Sequence, residues 1–197
     1  MPKISESRRE ERRRTILEAA LRCFVRTGYQ QTSMADIITE SGLSTGAIYS
    51  YFPSKRELIR GVAVLVIGDR QTELAVAASE HPVGPAEIAK LLIDGVRKHA
   101  PVQALVQVWS EATVDAELRG LIQETIGGMR DTIATTLEPW AEQHPERLPE
   151  GADPAAWARD VTPVVLALIP GFALQRTMFD DFDEERYLVG VTELLRR

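Results

Sequence analysis

Between Ser33 and Phe52 two short runs of helical periodicity flank Gly42, and this spacing constrains the fold more than any other feature of the chain. Ser33-Met34-Ala35-Asp36 reads as a capping-box variant opening a short helix, in which Ile37 and Ile38 supply the apolar contacts. Gly42 offers the permissive backbone that a tight bend requires, and Ser44 caps a further short helix through about Tyr51. Pro53 then interrupts, and Ser54-Lys55-Arg56-Glu57 is a second capping box that opens a long helix. A preceding helix from about Arg8 to Thr27, stopped by Gly28, carries Ile16, Ala20 and Phe24 on one face beside Leu17 and Leu21. Ile37, Leu43, Ile48 and Phe52 are spaced to meet in a small core beneath it, which is the layout of a helix-turn-helix.

The rest of the 197 residues also reads with helical period, and no alternating stretch of strand type stands out. Breakers at Gly84-Pro85, Ala100-Pro101, His144-Pro145 and Asp153-Pro154 predict helices near 54–79, 85–99, 101–112, 115–142, 154–179 and 183–196. Pro139, Pro163 and Pro170 fall inside these spans, so kinks or divisions are expected there, and Gln143 to Asp153 reads as an exposed loop. The expected architecture is all-α with about nine helices. A three-helix head over 1–60 is followed by a helical bundle over 61–197.

Charge supports that division. Residues 1–60 carry eleven Lys/Arg against seven Asp/Glu, net +4, whereas residues 61–197 carry twelve against twenty-two, net −10. A basic head and an acidic body confine phosphate affinity to one end. Cys23 is the one cysteine and lies in an apolar helical stripe, which predicts a buried core residue and no disulfide. No run of eighteen uncharged apolar residues occurs, and Met1 to Arg14 is too polar for a secretion signal, so a cytoplasmic protein with no membrane partner is expected. His81, His99 and His144 lie near helix ends without metal-ligand spacing, and no phosphate-binding glycine loop or nucleophile elbow is present. No enzymatic activity, metal or cofactor is expected. The competing reading is a small all-helical enzyme or an effector-free interaction protein.

The outward face of the second helix of the motif is small and hydrogen-bonding, with Ser44, Thr45, Gly46, Tyr49 and Tyr51, as a helix must be to enter a major groove about 12 Å wide. Ser33 to Ile38, Gly42-Leu43-Ser44, and Ile48-Tyr49-Ser50-Tyr51-Phe52-Pro53-Ser54-Lys55-Arg56-Glu57-Leu58 occur in that order. Together with Gly28-Tyr29 and the helix before it, this segment resembles the signature of the tetracycline-repressor (TetR) family over about fifty residues. Ile38 and Ser41 depart from it, standing where the family commonly has alanine. The resemblance implies phosphate or base contacts from Ser33 and Ala35, from Ser44, Thr45, Gly46, Tyr49 and Tyr51, and from Lys55, on double-stranded operator DNA. First-turn positions suit phosphate, because free N–H groups and the helix dipole already favour an anion there. The Arg8 to Arg14 cluster can add contacts or stand as a solvated helix start.

Two apolar segments, Val161 to Phe179 and Tyr187 to Leu195, close the chain. The resemblance implies that they pair with a second copy as a four-helix homodimer interface. It also implies an effector site between helices of the body, for which the large adaptable side chains of Trp109, Met129, Trp140, Phe172 and Met178, with Gln175 as an orienting polar group, are the candidates. A small, mostly apolar ligand is expected.

Overall fold

Local chemistry fixes where the chain turns. In the computed structural model, which describes residues 6–99 and 102–196, the first helix α1 (Glu6–Gln31) is broken at Gly28, whose φ of 81° lies in the region that glycine alone adopts without strain. There follow α2 (Met34–Ser41), α3 (Thr45–Tyr51), α4 (Lys55–Glu80), α5 (Pro85–His99), α6 (Val102–Ala112), α7 (Ala116–Gln143), α8 (Pro154–Met178) and α9 (Glu184–Leu195), with a single 3₁₀ turn at Pro145–Arg147. The described residues thus form nine α-helices and no strand, as the periodicity predicts. The Ala100–Pro101 break lies outside the described residues. Pro139 sits inside α7, and Pro163 and Pro170 inside α8, without dividing either helix.

Aspartates cap the body helices: Asp115 accepts from Glu117 and Leu118 amides, Asp153 from Ala156, and Asp183 from Arg186. Two apolar cores result. In the body, Leu74 of α4, Ile88, Leu92 and Ile93 of α5, Met129, Ile133 and Leu137 of α7, and Val165 and Phe172 of α8 pack together. Arg97 of α5 closes the far end, pairing with Glu184 at 2.9 Å and Glu185 at 2.6 Å, while Arg176 of α8 also reaches Glu184 at 2.9 Å.

The second core belongs to the head, but not to the head alone. Ile16, Leu17, Phe24, Ile37, Ile48 and Phe52 meet Leu58, Ile59 and Val62 of α4 and also Ala112, Leu118 and Leu121 from the α6–α7 corner. The expected boundary at 60/61 therefore falls within one continuous helix and within one shared core. Gly61 makes that crossing close, since a Cβ there would sit 2.5 Å from Leu17. Cys23 is buried in this core as predicted, and burial pushes its thiol up from the usual range, so it stays protonated.

By length and composition α8 is the one described helix able to cross a membrane. Ala158, Thr162, Val165, Phe172 and Ala173 face the core, whereas Val164, Leu174 and Met178 stand exposed. Between Pro163 and Leu174 it carries apolar residues on every side, of which Val164 and Leu174 are left outside the core.

The shared core predicts that Leu118→Ala, a change in the body sequence, loosens the head. Truncating a fully buried leucine costs about 2–5 kcal/mol. Amide hydrogen exchange should rise in α1–α3 as well as in α7. A rise confined to α7 would mean that head and body unfold separately.

Candidate nucleic-acid interface

The first turn of α2 is built by a reciprocal cap. The amide of Ser33 donates to Asp36 Oδ2 at 2.8 Å, the Asp36 amide donates back to Ser33 Oγ at 3.2 Å, and the Ser33 hydroxyl donates to Oδ2 at 2.7 Å. These bonds hold the Asp36 carboxyl below the usual carboxylate range, the Ser33 backbone N–H acting most strongly. Gly42 ends the helix at φ 67°, its amide bonded to the Thr39 carbonyl at 3.3 Å, and Leu43 is then turned inward with its amide on Ser41 Oγ at 3.2 Å. Ser44 caps α3 through the Ala47 amide at 3.3 Å. The turn between the two helices is thus specified by Gly42 and two serines.

On α3, Ile48 is buried in the head core and its opposite face is open. Ser44, Thr45, Gly46 and Ser50 are exposed, and Tyr49 is 45% exposed although it is a large aromatic. Ser33 and Ala35, at the start of α2, are exposed too. Tyr51 is half-buried and packs against the head core, which leaves it less to offer a ligand than Tyr49. Of the residues expected on this face, Ser44, Thr45, Gly46 and Tyr49 are exposed at α3, and Ser33 and Ala35 are exposed at the start of α2, while Tyr51 is not.

Two features were not read from sequence. Glu40 of α2 accepts from Arg22 Nε at 2.8 Å and from Arg26 at 3.0 Å, and these bonds hold its carboxyl low. It fastens α2 to α1 and engages two of the head's arginines. Glu40, the one acid of α2 outside its capping turn, was the available signal. The other is Lys55, whose ammonium donates to the carbonyls of Tyr29, Gln30 and Thr32 at 2.9, 3.2 and 3.0 Å. Within the N-terminal cluster, Arg13 pairs with Glu10 and lies over the Phe52 ring, and Arg14 pairs with Glu18.

The six residues considered for an effector do not share one pocket. Met129 and Phe172 are buried in the body core and Trp109 packs against it half-buried. Trp140 stacks between His144 and Trp157 at the opposite end of α7 from the head. Met178 is 69% exposed. Gln175 borders an open groove of about 360 Å³ with Phe179, Phe182, Arg186 and Tyr187, outside the bundle interior.

Comparison with known proteins matches residues 16–62 to the bacterial regulatory proteins of the tetR family, and residues 86–197 to the C-terminal part of BetI-type transcriptional repressors. The chain is similar to the uncharacterized HTH-type transcriptional regulator YfiR of Bacillus subtilis, with 33% identity over 54% of this chain and 53% of that protein. It is also similar to the HTH-type transcriptional regulator TtgR of Pseudomonas putida, at 29% over 60% and 51%. The matched stretches span about half the length of these curated relatives. In fold it is similar to FadR of Bacillus subtilis in complex with stearoyl-CoA (TM-score 0.75, 21% identity, 92% of this chain and 96% of that one). A regulator of Saccharomonospora viridis in complex with choline is likewise similar (TM-score 0.69, 25% identity, 95% and 97%).

The cap at Ser33 gives the interface a pH signature. Because the Asp36 carboxyl is lowered on folding, its contribution is present above about pH 4, the ordinary value of a free aspartate, and is lost as pH falls through the lower folded value. Asp36→Asn should reduce the urea midpoint at pH 7, and the gap from the parent should narrow by pH 3. A gap independent of pH would show that the carboxylate charge does not carry the cap.

Proposed function

The chain belongs to the tetR family of bacterial regulatory proteins, and from that premise we propose that it is a sequence-specific DNA-binding transcriptional regulator: a dimeric repressor released from a palindromic operator by a small, mostly apolar ligand. The observation that carries this reading is the open face of α3, where Ser44, Thr45, Gly46 and Tyr49 stand exposed beside a turn held by Gly42. No bulky side chain stands at its leading end, so the helix can approach base edges in a major groove. Thr45 presents a hydroxyl and a methyl for a base pair, Tyr49 a hydroxyl for phosphate or base, and Ser33 and Ala35 place the first-turn amides of α2 against the backbone. Tyr51 supports this face mainly by packing. Glu40 keeps Arg22 and Arg26 from competing for the same phosphates.

The partner is a second copy of the chain, docked through α8 and α9. Val164, Leu174, Met178, Phe179, Val189 and Leu194 are all exposed apolar residues on or beside these two helices. Exposed apolar surface gathered on two adjacent elements marks an association site. Two-fold pairing presents two recognition helices, which reads an inverted repeat.

The effector acts in the body. Met129 and Phe172 belong to the body core and Trp109 packs against it, so an apolar ligand taken up within that core must displace side chains and shift the helices that carry them. The relatives in complex with choline and with stearoyl-CoA differ in ligand chemistry, so an apolar ligand rests on this chain's own residues. The enzyme alternative loses its ground, because the family is one of regulators. The protein acts in the cytoplasm, where its DNA target is.

Selection from random-sequence duplexes tests the reading. The protein should enrich an inverted repeat with half-sites about one or more helical turns apart. Thr45→Ala should relax preference at one base pair per half-site, a discrimination of about 1–3 kcal/mol for a good contact. Paired Met178→Glu and Leu194→Glu changes should yield monomers with weak operator binding. Enrichment of no sequence, or of an asymmetric half-site bound by one chain, would overturn it.

A further inference from the structure

Lys55 stands at the first residue of α4, where the family resemblance implies a phosphate contact, yet its ammonium is already engaged. A protonated lysine has three N–H donors and no more. Here three backbone carbonyls, those of Tyr29, Gln30 and Thr32, lie within 2.9 to 3.2 Å of Nζ, and the same nitrogen stands 4.5 Å from the centre of the Tyr29 ring. The Tyr29 and Gln30 carbonyls lie in the last turn of α1, past its break at Gly28, and the Thr32 carbonyl follows it; a lysine commonly satisfies such helix-terminal carbonyls. Burial lowers the Lys55 ammonium from its ordinary value, with Glu111 of α6 opposing that shift. A donor set that is filled and partly desolvated has nothing left for a phosphate oxygen.

The third carbonyl is the informative one. The C=O of Thr32 and the N–H of Ser33 belong to one peptide plane. Lys55 Nζ holds its carbonyl at 3.0 Å, and Asp36 Oδ2 holds its N–H at 2.8 Å. Thr32 itself is buried, with its hydroxyl on the Gly28 carbonyl at 2.7 Å. From the other side Gln107 of α6 lies so close to Gly28 that a Cβ there would stand 2.0 Å from its Oε1. The turn over residues 28–32 is therefore gripped between α4 and α6, and the peptide leaving it opens α2.

We propose that Lys55 is a positioning residue for DNA binding rather than a phosphate ligand: it locks the start of α4 to the carbonyls of the α1–α2 turn and so sets where Ser33 and Ala35 meet the duplex. The role toward DNA rests on the regulatory function proposed above. The hold on the turn does not.

The two roles differ in salt dependence and in tolerance of arginine. A lost phosphate contact lowers the slope of log K against log salt by about 0.9 per contact in each subunit. A misplaced α2 weakens binding by a near-constant factor. Arginine replaces lysine well at a phosphate, but a planar guanidinium cannot point three donors at three converging carbonyls from the same stem. With the full-length protein and the selected duplex, Lys55→Met and Lys55→Arg should both bind at least ten-fold more weakly at every salt concentration, with the parent slope. In the free proteins the amide of Ser33 should lose protection from hydrogen exchange. A reduced slope for Lys55→Met, or parent affinity for Lys55→Arg, would overturn the proposal. If the parent protein binds no duplex, the regulatory reading fails and with it the role toward DNA, while unchanged exchange at Ser33 in the variants would refute the hold on the turn by itself.

Discussion

Head and body are joined by an apolar seam, and most of what this protein can do follows from it. Phe52, Leu58, Ile59 and Val62 meet Ala112, Leu118 and Leu121, all of them buried, where the head rests on the α6–α7 corner. Each fully buried side chain of this size contributes about 1.5–3 kcal/mol. The polar links across the same junction, Arg56 with Glu117 and Arg60 with Glu124, join side chains that are about half exposed or more. Exposed pairs contribute about 0–1 kcal/mol each. The seam therefore sets the angle of the head, and the ion pairs only trim it. With α4 running unbroken from Lys55 to Glu80, a shift among the body helices has a stiff path to the head.

The elements were legible in sequence because their signals are local. Ser33 with Asp36, Gly42, Ser44, Pro85 and Asp153 with Pro154 each act within one turn of the chain, and the helices begin and end beside them. The open face of α3 was legible for the same reason, since seven residues between Ser44 and Phe52 leave only one side for Ile48 to bury. Partners distant in sequence were not. Lys55 reaches carbonyls twenty-three to twenty-six residues earlier, and nothing in the run Ser54-Lys55-Arg56-Glu57 distinguishes that use from a phosphate contact.

The effector residues were the least legible, and α8 shows why. Its apolar residues run all round the helix, so periodicity cannot assign Phe172 to the core and Met178 to the surface; the positions of α5, α7 and α9 decide. Trp140 is another case. Its neighbours Trp157 and His144 make it part of an aromatic stack at the base of the bundle, an arrangement set by where α7 ends and α8 begins. The division at 60/61 followed the helix layout, and charge agrees with it. The cores do not, because burying the head's apolar face requires the corner of the body.

If, as proposed, a ligand in the body favours a pose of the head that DNA does not, occupancy of the body and occupancy of DNA are linked, and linkage is reciprocal. The measurement that tests this most directly is operator affinity in the presence of compounds chosen only because they raise the melting temperature of the free protein. The account predicts that such binders weaken operator binding by about 5–150-fold and that operator weakens theirs by the same factor. Tight binders within the bundle that leave operator affinity unchanged would contradict it.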